Sequence, residues 1–297
     1  MLICESFISQ WSNVETIEAP INTEHPSPVW LMSGDGRVFA YRALQDINGT
    51  DHGVVKVFGY DPSSQVFTSR GTINPGGNPG FPMSSSNDGS IISVCGRGYD
   101  SSEGLDVGVC GVYKYNEDEN NPNYEQQGLF YGEAQNDKIR ADISGDGAVL
   151  AVSYEVGRKV KVFYWDAGEW KPKGNVITGV DAYGHRLSDD GSTLALRDSW
   201  DAAIYKYNSV QWVREGTYVI YNEDEIRREV KNVEISGDGS TFIAGTEDTI
   251  KIFRLNDDNY GEIGELTGLS GYPRVSLSSN GDVASVTMEN TSSLCSL

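Results

Sequence analysis

No apolar run in the 297-residue chain approaches the roughly 20 residues that span a bilayer. The opening residues, MLICESFISQW, lack a basic segment followed by a long apolar core, so no secretory signal is read and an intracellular protein is expected. Histidine is scarce: His25, His52 and His185 stand alone, none beside a nucleophile or a second histidine. Neither G-x-S-x-G nor a phosphate-binding loop occurs. Carboxylates are too plentiful for sequence to single out a catalytic pair. No catalytic residue is therefore nominated, and a non-enzyme is expected. The four cysteines, Cys4, Cys95, Cys110 and Cys295, have no C-x-x-C spacing and no histidine cluster, which argues against structural zinc. Positive charge is also short. Twenty-three Lys and Arg face 43 Asp and Glu, a net charge of −20. Such a surface disfavours nucleic acid and anionic membranes, and keeps the chain soluble.

What the chain has in quantity is glycine, 34 residues of it, much of it in a repeat. A turn signal occurs six times: Ser33-Gly-Asp-Gly36, Ser86-Asn-Asp-Gly89, Ser144-Gly-Asp-Gly147, Ser188-Asp-Asp-Gly191, Ser236-Gly-Asp-Gly239 and the variant Ser278-Ser-Asn-Gly281, at a mean spacing of about 49 residues. Asp-Gly and Asn-Gly favour hairpin turns because both residues tolerate positive φ. Two further signals keep phase with it. One is an alternating apolar strand, as in Val55–Phe58, Val160–Phe163 and Ile250–Phe253. The other is an aromatic with glycine four residues later: Phe67/Gly71, Tyr124/Gly128, Trp170/Gly174, Trp212/Gly216 and Tyr260/Gly264. Each unit thus holds four short strands, A to D, with the turn between A and B. Four antiparallel strands per unit is the β-propeller blade pattern.

The fold expected is an all-β, six-bladed β-propeller in one domain over residues 1–297, with seven blades the alternative. Residues 1–17 read as strands C and D, with Ile3-Cys4 in the place of Ile204-Tyr205. Residues 1–20 are accordingly expected to complete the C-terminal blade, although Leu294–Leu297 competes for the same strand-C slot.

On these residues the chain resembles the propeller repeats common in marine algal and bacterial proteins, which read roughly S-x-D-G, then V-x-V-F-x-Y, then W-x-x-x-G. Ile143–Val152, Val160–Tyr164 and Trp170–Gly179 carry the likeness best. These repeats are similar, at a distance, to WD40 and integrin FG-GAP propellers. The resemblance implies a propeller and a binding role; it implies no activity.

Three functions fit such a fold. The leading expectation is a non-catalytic scaffold that binds a protein or peptide partner at one channel face. The alternatives are a carbohydrate-binding or glycan-processing propeller, for which Trp30, Tyr183, Trp200 and Tyr272 supply aromatics, and a calcium-dependent adhesion-type module. Strand A is the innermost strand of a blade, so its polar residues are the candidate channel-mouth site: Arg140, Asp142, His185, Arg186, Asn232, Glu234 and Arg274. Arginine gathered in so acidic a chain suits an anion or a carboxylate. The competing reading is a self-satisfied network of salt bridges, with Lys138, Arg227 and Arg228 nearby. The core-type positions of strand A include Trp30, Met32, Ala141, Ile143, Val233, Ile235, Val275 and Leu277. No cofactor is expected beyond a Ca²⁺ ion, for which the strand B–C loops offer Asp100, Ser102 and Asp106 in one unit and Asp46, Asn48 and Asp51 in another. If Ser93 pairs with Val112, Cys95 lies opposite Cys110. Both are expected as buried free thiols, and Cys4 and Cys295 as thiols that meet in the closing blade.

Overall fold

The computed structural model describes residues 3–5, 30–47, 50–75, 78–100, 105–118, 122–198, 200–222, 224–269, 273–288 and 291–296. Among them every regular element is a β-strand. Strand β1 (Ile3–Glu5) comes first. The first sheet follows, in the order β2 (Trp30–Met32), β3 (Val38–Ile47), β4 (Thr50–Asp61) and β5 (Val66–Ile73). The second is β6 (Asn78–Ser85), β7 (Ile91–Asp100), β8 (Leu105–Asn116) and β9 (Asn123–Tyr131). The third is β10 (Ile139–Ile143), β11 (Val149–Tyr154), β12 (Lys159–Asp166) and β13 (Glu169–Pro172), with β14 (Ile177–Thr178) also on β12. The fourth is β15 (Ala182–Leu187), β16 (Thr193–Asp198), β17 (Asp201–Tyr207), β18 (Trp212–Tyr221) and β19 (Arg227–Arg228). The fifth is β20 (Asn232–Ile235), β21 (Thr241–Gly245), β22 (Ile250–Asn256) and β23 (Asn259–Leu266). The last runs β24 (Arg274–Leu277), β25 (Val283–Met288), β26 (Thr291–Ser296), then β1.

The chain forms two compact units, one of Met1–Trp11, Arg158–Val162 and Pro172–Leu297, the other of Ser12–Gly157 and Phe163–Lys171. Within each, successive sheets share apolar clusters. Ala195 and Ile204 of the fourth sheet pack with Val233, Phe242 and Phe253 of the fifth. Ile243 and Ile252 of the fifth pack with Val275 and Val286 of the sixth. In the other unit Val94 and Tyr113 join Val38 and Val57, and Cys110 and Val112 join Ile139 and Leu150. Strands covered on both faces read as continuous apolar runs: all six residues of β11 and all five of β21 are buried.

Each phased sequence signal has a local cause. In the turn, the serine Oγ donates to the aspartate two residues on, 2.6 Å for Ser33–Asp35 and 2.5 Å for Ser144–Asp146. The same Oγ accepts the N–H five residues ahead, 2.9 Å from Thr241 to Ser236. The aspartate accepts the N–H two residues past itself, 2.9 Å from Ser240 to Asp238. Gly239 closes the turn at φ +69°, a conformation side chains with a Cβ rarely adopt. The aromatic-to-glycine spacing marks a β-bulge. Val57 pairs Gly71 while Phe58 pairs Ser69, which leaves one extra residue between, and Val112/Gly128, Ile204/Gly216 and Ile252/Gly264 repeat the step. The aromatic itself ties strand D to the turn: Tyr124 Oη donates to Gly89 O at 2.6 Å, and Tyr260 Oη donates to Gly239 O. Burial pushes the Tyr124 phenol up to about 12.

Several expectations need correcting. The strand-C place in the last sheet belongs to β26, and among the described residues β1 lies beyond it, so Thr291–Ser296 takes the slot expected of Ile3-Cys4. Trp30 and Met32 are exposed, not core, because β2 turns Leu31 inward, against the cluster that holds Val38, Ile92 and Val94. Ser93 does pair Val112, and Cys95 does face Cys110. The two cysteines form a disulfide, however, and are not free thiols.

Candidate functional site

The strand-A candidates divide between the two units. Arg140 and Asp142 lie on β10, Arg140 half-buried and Asp142 buried. His185 and Arg186 (β15), Asn232 and Glu234 (β20) and Arg274 (β24) lie on the first strands of three successive sheets of the other unit.

The turns that follow these strands are hydrogen-bonded to one another. Asp189 N donates to Gly237 O at 2.7 Å, and Asp238 N donates to Ser279 O at 3.0 Å. Ser279 Oγ also donates to Asp189 Oδ2 at 2.7 Å, passing over Gly237. With the turns fixed, residues two to four positions upstream come side by side. Arg186 Nε donates to Glu234 Oε1 at 3.1 Å and to Oε2 at 3.3 Å, while its Nη1 donates to the carbonyl of His185. Asn232 Nδ2 donates to Pro273 O at 2.6 Å, which ties β20 to the residue before Arg274. The Arg274 side chain is exposed and makes no ion pair among the described residues.

Ion pairs flank the row. Arg197 Nη2 donates to Glu229 Oε1 at 2.9 Å, and Lys231 Nζ donates to Glu229 Oε2 at 2.6 Å. The hydrogen bond from Lys231, followed by its charge and by Arg197, holds the Glu229 carboxyl below its usual range. Arg227 pairs with Asp201 at 2.7 Å and Arg228 with Asp248 at 2.9 Å; in the other unit, Lys138 pairs with Glu155 at 3.8 Å. Among the described strand-A residues, Arg186 is matched to a carboxylate and Arg274 has no ion pair.

Four of the calcium candidates, Asp46, Asp51, Asp100 and Asp106, lie on paired strands. Asp46 pairs Asp51, and Tyr99 pairs Asp106, as rungs of long hairpin ladders. Asn48 and Ser102 lie outside the described residues, as do the side chains of Asp46, Asp51, Asp100 and Asp106. Among the described residues no group of three or more His, Cys, Asp or Glu could hold a metal ion. Of the aromatics suggested for sugar binding, Trp30 and Trp200 are exposed, and the side chains of Tyr183 and Tyr272 lie outside the described residues. Sequence reasoning missed Glu229, Lys231 and Arg197. The first two bracket Val230, a buried residue, and alternation about that apolar position was the signal available.

No protein-family profile matches the chain, and no curated protein does. Solved structures do. The periplasmic gluconolactonase PpgL of Pseudomonas aeruginosa is similar at a TM-score of 0.63 and 14% identity, over 89% of this chain and 78% of that one. A Bacteroides uniformis protein assigned as a 6-phosphogluconolactonase is similar at 0.61 and 16%, over 87% and 76%. The β-propeller domain of Cps50 (Swd1) from Myceliophteria thermophila is similar at 0.52 and 10%, over 91% and 96%. The expectation of a non-catalytic interaction scaffold is corrected by these neighbours. Proteins bearing lactonase names share this architecture, so the step from blade repeats to a passive recruiting platform fails. The chain has an all-β fold of antiparallel sheets similar to gluconolactonase and WD40 β-propellers.

Proposed function

We propose that the chain is a hydrolase of sugar-acid lactones, acting at the inner-strand row of Arg186, Glu234, Asn232 and Arg274. In the same reading the six sheets are the six blades of one propeller over residues 1–297, and the N-terminal segment completes the last blade. The observation that carries the proposal is Arg274: an exposed guanidinium with no ion pair among the described residues, in a chain of net charge −20. A lactone carbonyl gathers negative charge on oxygen when water adds to it, and a guanidinium stabilises that charge. Glu234, oriented by Arg186, accepts a proton from the attacking water. The tetrahedral adduct then collapses with cleavage of the ring C–O bond. The ring oxygen takes up a proton, and the net change is lactone plus water to hydroxy acid. The gluconolactonase names among the structural neighbours support this substrate class.

The test is proton release by pH-stat with glucono-1,5-lactone and its 6-phosphate, at mildly acidic pH where spontaneous opening is slow. Saturable acceleration that Arg274→Ala abolishes is expected. Rates equal to the spontaneous ones for both compounds would overturn the reading.

A further inference from the structure

All four cysteines of the chain stand in two directly opposed pairs. Cys95 faces Cys110 across β7 and β8, and Cys4 faces Cys295 across β1 and β26. Directly opposed residues of an antiparallel ladder place their Cβ atoms roughly 4.5–5.5 Å apart. A disulfide spans roughly 3.5–4.5 Å between Cβ atoms, so only a small adjustment separates such a pair from a bond. The Cys95–Cys110 disulfide shows this fold making that adjustment at one such position.

The place of the other pair gives a bond something to do. Among the described residues β1 spans three positions, ends its sheet and pairs with β26 alone, through Ile3↔Ser296, Cys4↔Cys295 and Glu5↔Leu294. A three-rung edge strand gains little from its own ladder and frays readily. The cysteines occupy the middle rung, where one covalent bond secures all three.

We propose that Cys4 and Cys295 form a disulfide that fastens β1 to the last sheet, and that the protein matures where thiols are oxidised. Two thiols form one S–S bond. Their two electrons and two protons pass to an external disulfide, from an oxidoreductase or oxidised glutathione, which leaves as two thiols. The compartment follows from both pairs, since such bonds persist in oxidising surroundings.

The experiment uses the full chain, equilibrated in a glutathione redox buffer, alkylated in denaturant without reductant and digested for mass spectrometry. A peptide containing Cys4 joined to one containing Cys295, beside the joined Cys95 and Cys110 peptides, is expected. Alkylated Cys4 and Cys295 in a sample where Cys95–Cys110 is bonded would overturn the proposal, as would Cys4 bonded elsewhere. A second readout is thermal. Cys295→Ala should lower Tm by on the order of 10 °C, because the lost bond closes a very long loop. A mild reductant should bring the parent chain down to the variant, because Cys95 and Cys110 are buried from it. Equal melting of parent and variant would contradict the fastening role.

Discussion

Ser236 Oγ donates to Asp238 Oδ1 at 2.6 Å while accepting the N–H of Thr241 at 2.9 Å. Equivalent bonds recur in all six turns, with Asn280 in place of aspartate at the last, 2.8 Å from Ser278. The serine therefore answers a buried backbone donor, and the acidic residue holds the serine in place. Ser236→Ala should leave the Thr241 N–H buried and unanswered, at a cost of about 1–3 kcal/mol. Asp238→Asn should cost less, because Asn280 already performs the same role. Urea unfolding of both variants checks the order.

The turn carboxylates also predict how stability responds to acid. Burial is the strongest single influence on Asp88, Asp190 and Asp238, and it raises their pKa values. Hydrogen bonds from Ser86, Ser188 and Ser236 and from the backbone together outweigh it, and all three lie below the ordinary aspartate value. A depressed carboxyl stabilises the fold above its unfolded pKa, about 3.9, and ceases to do so as pH falls through the folded value. These three groups should leave Tm flat from pH 7 to 5 and contribute a loss below about pH 4. The acid-dependent loss should be smaller in Asp238→Asn. An equal loss in the two proteins would remove this turn from the explanation.

Gly237 lies beneath the bond between Asp189 and Ser279. A Cβ there would meet Asp189 Oδ2 at 2.1 Å and Ser279 Oγ at 2.2 Å. Gly237→Ala should therefore break that bond and destabilise the chain by about 1–3 kcal/mol. In an Asp189→Ala background the added methyl meets less, and the cost should shrink. A double-mutant cycle by chemical denaturation measures the coupling.

Much of the fold was legible because the repeat states it three times in phase. The turn motif, the alternating strand C and the aromatic-to-glycine spacing each answer a local demand, and local demands can be read from neighbours in sequence. The pairing of Ser93 with Val112 was legible for the same reason. Trp30 and Met32 were misread because β2 is only three residues long, too short for alternation to choose a face. The last sheet was misread because both Ile3-Cys4 and Leu294–Leu297 suit an edge, and only pairing decides their order. At the candidate site, composition picked out Arg186 and Glu234 one by one. Their partnership spans 48 residues and depends on how two sheets pack, which no local pattern carries.

The role of Glu234 tests the account most directly. Glu234→Gln keeps the size and a hydrogen-bond acceptor for Arg186 but cannot take a proton from water. Turnover of gluconolactone, or of its 6-phosphate, should fall by roughly 10²–10⁴-fold with KM little changed. Full activity in the variant, or no catalysed opening of either lactone by the parent chain, would contradict it.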